Sequence, residues 1–437
     1  MSKILLFGAG KSATVLIDYL VVQCARLNHF LEVVDAGPQV ANQKVADACT
    51  RAGISAERVT SRQYSIDSEP DRQASIQNAD AVISLLPPHL HSIVAKDCLR
   101  FQRPLFTASY VDDQVKSMRA DIEKNGLLFL YEMGLDPGID HMSLMTLLDE
   151  LYARGAVPVG IRSHCGGLVS PESDNNPWHY KISWNPRNVL MAGSAGAQFL
   201  LDGKIEKRTH AQLFHALNLV NVPGAGELAF YPNRDSNSYL DLYGLKNMHT
   251  FQRTTLRHPD FIRGWDALIQ LGMIDEERQI ELTPNTHLAD ALHACRSLPS
   301  NLSSDIRSML EWLGWADHVT IVPFLKTTPA QLLQFCMEQK WVLHPADKDR
   351  IVMLHEIQYR QGNELHSVNS SLILDGEDST RTAMAKTVGL PLGIAAIQYL
   401  EGAIQVKGLQ IPTAPKIYRP VLQELKDFGI DFTESWN

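Results

Sequence analysis

The stretch KILLFGAGKSA, Lys3 to Ala13, decides the fold. Ile4 to Phe7 is a short unbroken apolar run, as a strand buried on both faces requires. Gly8 and Gly10 break it. From 12 to 27 the apolar residues Val15, Leu16, Leu20 and Cys24 return at helical spacing. Phe30 to Val34 forms a second run, ending at Asp35. Strand, glycine turn, helix and strand make one βαβ unit. Its turn reads G-x-G-x-x-A: Gly8 permits the tight bend, Gly10 lets backbone approach a pyrophosphate, and the small Ala13 lets helix and strand pack closely. The helix N-terminus adds N–H groups and the positive end of a dipole. Gly8, Gly10, Lys11, Ser12 and Ala13 are therefore expected to bind a dinucleotide, the alternative being an ordinary glycine turn.

Asp35 lies 25 residues past Gly10. A carboxylate there accepts from a ribose 2′-hydroxyl and repels a 2′-phosphate. The residues after it are Ala36, Gly37 and Pro38, with no arginine. The expectation is NAD, with NADP disfavoured; a solvent-facing turn aspartate is the alternative.

Ala81 to Leu86 reads as another buried strand, stopped by Pro87 and Pro88; Ser84 and Leu85 within it are grouped with the cofactor-binding residues. Pro104 to Ala108 and Leu127 to Leu130 continue the alternation of strands and helices. That alternation defines a Rossmann-type α/β domain with a parallel sheet. After Gly138 the texture changes. Residues 158–256 are rich in Gly, Pro, Asn, Trp and Tyr, and read as strands and loops. Residues 262–345 look helical. Ile351 to Tyr359 and Leu365 to Leu374 read as strands around a Gln361-Gly362-Asn363 turn, and Thr380 to Gly402 as a long Ala-rich helix.

The 437 residues carry 40 Lys and Arg against 49 Asp and Glu, a formal charge of −9. An acidic chain lacks the basic signature of a nucleic-acid binder. Without a run of about eighteen apolar residues, no membrane span is expected. The opening MSKILLFGAG has neither a basic segment nor a cleavage site, so the cytoplasm is the expected compartment. Six scattered cysteines without a C-x-x-C pair read as reduced thiols. His89 and His91 lack further ligands at metal-binding spacing, so no metal is expected.

Three later segments, GLDPGIDHM (134–142), HCGGLVSPESDNNPWHYKISWNPRNVL (164–190) and YPNRDSNSY (231–239), resemble the saccharopine reductase family, the glutamate-forming saccharopine dehydrogenases. AMAKTVGLPLGIA (383–395) and IPTAPKIYRPVLQEL (411–425) resemble its C-terminal helix and tail. The resemblance runs along nearly the whole chain. It implies a Rossmann domain (1–132 with 380–437), an α+β substrate and dimerisation domain (133–258 with 346–379) and a helical insertion (259–345), in a homodimer acting on a small molecule. The implied reaction, in lysine metabolism, oxidises a secondary amine: hydride leaves a carbon beside nitrogen, and the imine is hydrolysed to glutamate and 2-aminoadipate 6-semialdehyde.

Saccharopine has three carboxylates, which arginines recognise well. Arg234 and Arg257 stand where the family places its carboxylate-binding arginines, with Arg253 a further candidate; a structural ion pair is the alternative for Arg234. The family matches put Asp136, Cys165 and Tyr110 at the substrate and nicotinamide pocket as proton-transfer candidates. Turn stabilisation is the alternative for Asp136, and packing for Cys165 and Tyr110. Trp184 and Tyr180 read as pocket wall or as core. A carboxynorspermidine dehydrogenase, whose amine-rich product favours acidic residues, and a non-catalytic NAD sensor are the competing functions.

Overall fold

A computed structural model describes residues 1–437. The chain forms two compact units, 1–155 with 380–432 and 156–379 with 433–437.

The first unit is built on β1 (Lys3–Phe7), β2 (Phe30–Asp35), β3 (Val59–Gln63), β4 (Ala81–Ser84), β5 (Leu105–Thr107) and β6 (Leu128–Leu130). They form a parallel sheet in the order β3-β2-β1-β4-β5-β6, extended by the strand Gly408–Gln410 beside β6. This is the doubly wound dinucleotide-binding order, with the strand direction of travel reversing between β1 and β4. Ile4, Leu5 and Leu6 are fully buried, which explains the unbroken apolar run.

The helix α1 (Thr14–Leu27) covers one face and packs on the helix Ala383–Leu400. Gly389 and Gly393 make the approach possible: a Cβ at Gly389 would stand 2.9 Å from the Leu16 Cβ, and one at Gly393 2.6 Å from the Tyr19 ring. The helix Ala383–Leu400 is long and apolar enough to cross a membrane, yet 72% of that window is buried within the fold. Its apolar surface is spent on core packing.

The second unit centres on β7 (Val157–Val169). It pairs in parallel with the strand Thr250–Arg257 and antiparallel with Asp349–Gln361, which forms a long hairpin with Glu364–Asp375. The helices Pro259–Gln270, Leu288–Cys295, Ser304–Leu310 and Pro329–Lys340 fall in the region read as helical. They enclose an aromatic core in which Trp178, Trp265 and Trp341 are almost wholly buried.

Candidate active site

In the first unit, Gly8 sits at φ +97°, where a Cβ would be 2.7 Å from the carbonyl oxygen of Leu85. The Leu85 N–H in turn donates to Phe7 O at 2.8 Å, so the ends of β1 and β4 are locked together. Gly10 faces open space, since a Cβ there would meet nothing within 4 Å. A 3-10 turn, Lys11–Ala13, leads into α1, and Ala13 is packed beneath it. A glycine-lined turn facing open space at a helix start fits a dinucleotide's pyrophosphate.

Asp35 is committed to this turn. Its Oδ2 accepts the Ala9 N–H at 2.8 Å and its Oδ1 the Gly37 N–H at 2.7 Å. Both oxygens brace the two loops that follow β1 and β2.

At the end of β4, the buried Ser84 hydroxyl lies 2.9 Å from His91 Nδ1, and His91 Nε2 lies 2.7 Å from Ser109 Oγ. His91 thus ties the ends of β4 and β5 together; burial holds its pKa down at about 4. Next to Ser109, the Tyr110 hydroxyl donates to Asp136 Oδ1 at 3.3 Å.

Asp136 belongs to the turn that ends at Gly138. A Cβ at Gly138 (φ +148°) would lie 2.0 Å from Gly134 O, so this turn admits only glycine. Asp140 Oδ1 accepts the Gly138 N–H at 2.6 Å. Beneath it, fully buried His141 places Nε2 2.9 Å from Glu132 Oε2, while Glu132 Oε1 accepts the Val111 N–H at 3.4 Å. Glu132 and His141 therefore support both segments of the Tyr110–Asp136 pair. The Asp140-His141 dipeptide in GLDPGIDHM was the visible trace of this support; Glu132 left none.

In the second unit, register fixes which residues share a face. Cys165 is opposite Thr255 and His164 opposite Thr254. Side chains alternate along a strand, so Cys165, Arg253 and Arg257 lie on one face and His164 on the other. His164 Nδ1 is 2.6 Å from Thr254 Oγ1, and its Nε2 3.0 Å from Glu356. Burial lowers the His164 pKa despite Glu356.

Arg257 is 4% exposed. Its guanidinium donates to Leu256 O at 2.8 Å and stands 5.2 Å from the Tyr180 ring centroid and 5.5 Å from that of Phe261. Its Nε has no hydrogen-bond partner, and no acidic side chain pairs with it. The Tyr180 hydroxyl accepts the Trp184 indole N–H at 3.3 Å. Arg257, Tyr180 and Trp184 thus form one cluster, reached from segments far apart in sequence. Arg234 is exposed at φ +50° on the short strand Arg234–Asp235. Arg253 is buried over the Tyr239 ring at 4.5 Å.

A dinucleotide-binding sheet together with a unit that buries an unpaired cation defines a nucleotide-dependent enzyme for a carboxylate-bearing substrate. Comparison with known proteins narrows the class. Residues 4–130 match the saccharopine dehydrogenase NADP binding domain and 134–430 the saccharopine dehydrogenase C-terminal domain. The chain is 31% identical to the Saccharomyces cerevisiae saccharopine dehydrogenase [NADP(+), L-glutamate-forming], covering 99% of this chain and 98% of that protein. It is 35% identical to the mouse mitochondrial alpha-aminoadipic semialdehyde synthase over 83% of this chain, and spans 41% of that longer protein. The apo yeast saccharopine dehydrogenase (L-Glu forming) structure superposes with a TM-score of 0.87 at 27% identity, covering all of both chains. The chain belongs to the saccharopine dehydrogenase family.

These matches overturn the expected preference for NAD. The N-terminal family model is an NADP binding domain, and the yeast relative is named for NADP(+). The physical reason lies in Asp35, whose two oxygens are engaged by Ala9 and Gly37. Its position at the end of β2 is therefore explained by the turn, without a ribose hydroxyl.

Two outcomes follow. Asp35→Ala removes both charged acceptors, each worth about 1.5–3 kcal/mol. Equilibrium titration of the variant is expected to show NADPH and NADH affinity falling together by at least about tenfold; a gain in NADPH affinity alone would mean that Asp35 acts by repelling the 2′-phosphate. His91 supplies a pH dependence. Above pH 6.5 the ring is neutral in the folded and unfolded chain alike. Between pH 6.5 and about 4 the unfolded ring takes up a proton that the buried ring refuses, so stability falls with pH, by up to about 3 kcal/mol. Urea midpoints across that window should fall less steeply in His91→Asn than in the parent.

Proposed function

We propose that this chain is an NADP(H)-dependent oxidoreductase of lysine metabolism that interconverts saccharopine with glutamate and 2-aminoadipate 6-semialdehyde. The observation that carries this reading is Arg257: a buried guanidinium with no acidic partner and an unsatisfied Nε. A cation held that way is costly unless a ligand carboxylate completes it. An amine-rich substrate would meet repulsion there, which argues against a polyamine-type reaction.

In this reading the amides of Ala9 to Ala13 hold the pyrophosphate, with Ser84 and Leu85 bounding the turn. The bound nucleotide accepts the hydride from the carbon beside the substrate nitrogen. Arg257 takes one substrate carboxylate and Arg234 another, while Tyr180 and Trp184 form the wall beside Arg257. Asp136, hydrogen-bonded to Tyr110, takes the proton from the substrate nitrogen and returns one when water adds to the imine. Cys165, on the Arg257 face of the sheet, is the second group placed to pass a proton.

Steady-state formation of NADPH from saccharopine tests these roles. Arg257→Ala is expected to raise KM for saccharopine about 10- to 150-fold, the loss of one charged hydrogen bond, with NADPH affinity unchanged. Asp136→Ala is expected to lower kcat by about 10²–10⁴-fold. Unchanged kinetics in both variants would refute the assignment.

A further inference from the structure

Apart from the residues given roles above, the second unit brings two histidines and an aspartate face to face. His179 holds φ +51°, a left-handed backbone uncommon for a residue bearing a side chain. Its Nδ1 lies 2.6 Å from Asp174 Oδ2 and its Nε2 3.4 Å from Asp260 Oδ2. His258 directs Nδ1 at the same Asp260 oxygen, 3.5 Å away, and the two imidazole centroids are 3.8 Å apart. Arg263 pairs with the other Asp260 oxygen. The three facing side chains are each about one-third exposed, so an ion can reach them from solvent.

Counting protons shows what the cluster lacks. Asp174 takes the Nδ1–H of His179, which leaves a lone pair on Nε2 of the neutral ring. The Asp260 N–H donates to His258 Nδ1 at 3.3 Å, so that nitrogen also presents a lone pair. The third is on Asp260 Oδ2. Three lone pairs thus converge with no hydrogen between them, at separations too long and of the wrong polarity for good hydrogen bonds. Those separations match another geometry. Tetrahedral zinc ligands at about 2.0–2.1 Å from the metal stand about 3.3–3.4 Å from each other.

We propose that His179 Nε2, His258 Nδ1 and Asp260 Oδ2 form a site for one Zn²⁺-type divalent cation, with water in the fourth position. Asp174 is the orienting carboxylate that a metal-bound histidine ordinarily has. The mixed nitrogen and oxygen donors suit zinc better than Mg²⁺ or Ca²⁺, which take all-oxygen shells. Two carboxylates against one guanidinium leave the neutral-imidazole cluster net negative, as a cation requires. An occupied site would clip the loop carrying Asp174 and His179 to the start of the helix Pro259–Gln270, directly after Arg257. The competing occupant is a single proton shared by the three groups.

The untagged full-length protein, stripped with EDTA, is titrated with Zn²⁺ against a chromophoric chelator and separately with Co²⁺. One equivalent of Zn²⁺ and the intense visible bands of four-coordinate Co²⁺ are expected. His179→Asn keeps a residue that tolerates the left-handed backbone, and His258→Asn keeps a helix cap. Both are expected to melt like the metal-free parent and to lose the site. Asp174→Asn should weaken it about 10- to 100-fold. Absence of a stoichiometric site in the parent, or parent-like zinc binding in folded His179→Asn and His258→Asn, would overturn the proposal in favour of the shared proton.

Discussion

The second unit is organised around a positive charge held out of water without a negative partner. Removing a guanidinium from water costs several kcal/mol. Here the Leu256 carbonyl and the faces of Tyr180 and Phe261 offset part of that cost. The surrounding structure supplies those faces: Tyr180 and Phe261 both pack on Trp341, and Phe261 stacks on Trp265 at an interplanar angle of 9°. The helical region thus builds the aromatic walls of an arginine pocket. The register beside β7 then sets Cys165 on the face that Arg257 shares with Arg253.

The first unit works by backbone placement rather than by charge. Gly8 comes close enough to the Leu85 carbonyl to exclude any side chain, and the Asp35 carboxylate fastens the loops after β1 and β2 through two amides. The buried Ser84–His91–Ser109 chain does the same for the ends of β4 and β5. Rigid strand ends give a preorganised turn for the pyrophosphate and a fixed base for Tyr110. Preorganisation of this kind lowers the cost of ordering a bound ligand.

The strands of the first unit were legible because burial on both faces leaves an unbroken apolar run, as in Ile4 to Phe7 and Ala81 to Ser84. The glycine turn was legible because each of its small residues answers a steric demand. Asp35 was misread because a carboxylate ending a strand looks the same whether its lone pairs meet a ribose or the amides of Ala9 and Gly37. His91 drew attention as half of a histidine pair, yet its partners Ser84 and Ser109 come from two other strand ends. His179 and His258 escaped notice because a β-sheet register, not sequence spacing, brings their segments together. The Glu132–His141 pair escaped for the same reason: its members flank the Asp136 turn, and neither stands in a pattern of its own.

The account stands or falls on Arg257 being a cation that waits for a carboxylate. Thermal and urea unfolding of the parent and of Arg257→Met, each with and without saccharopine, tests this directly. Replacing an uncompensated buried charge by an apolar side chain of similar length should stabilise the ligand-free protein, by about 1–4 kcal/mol if it matches other buried-charge replacements. Saccharopine should then stabilise the parent and leave the variant unmoved. A variant less stable than the parent without ligand, or equally stabilised by saccharopine, would show that Arg257 is a structural residue and contradict the account.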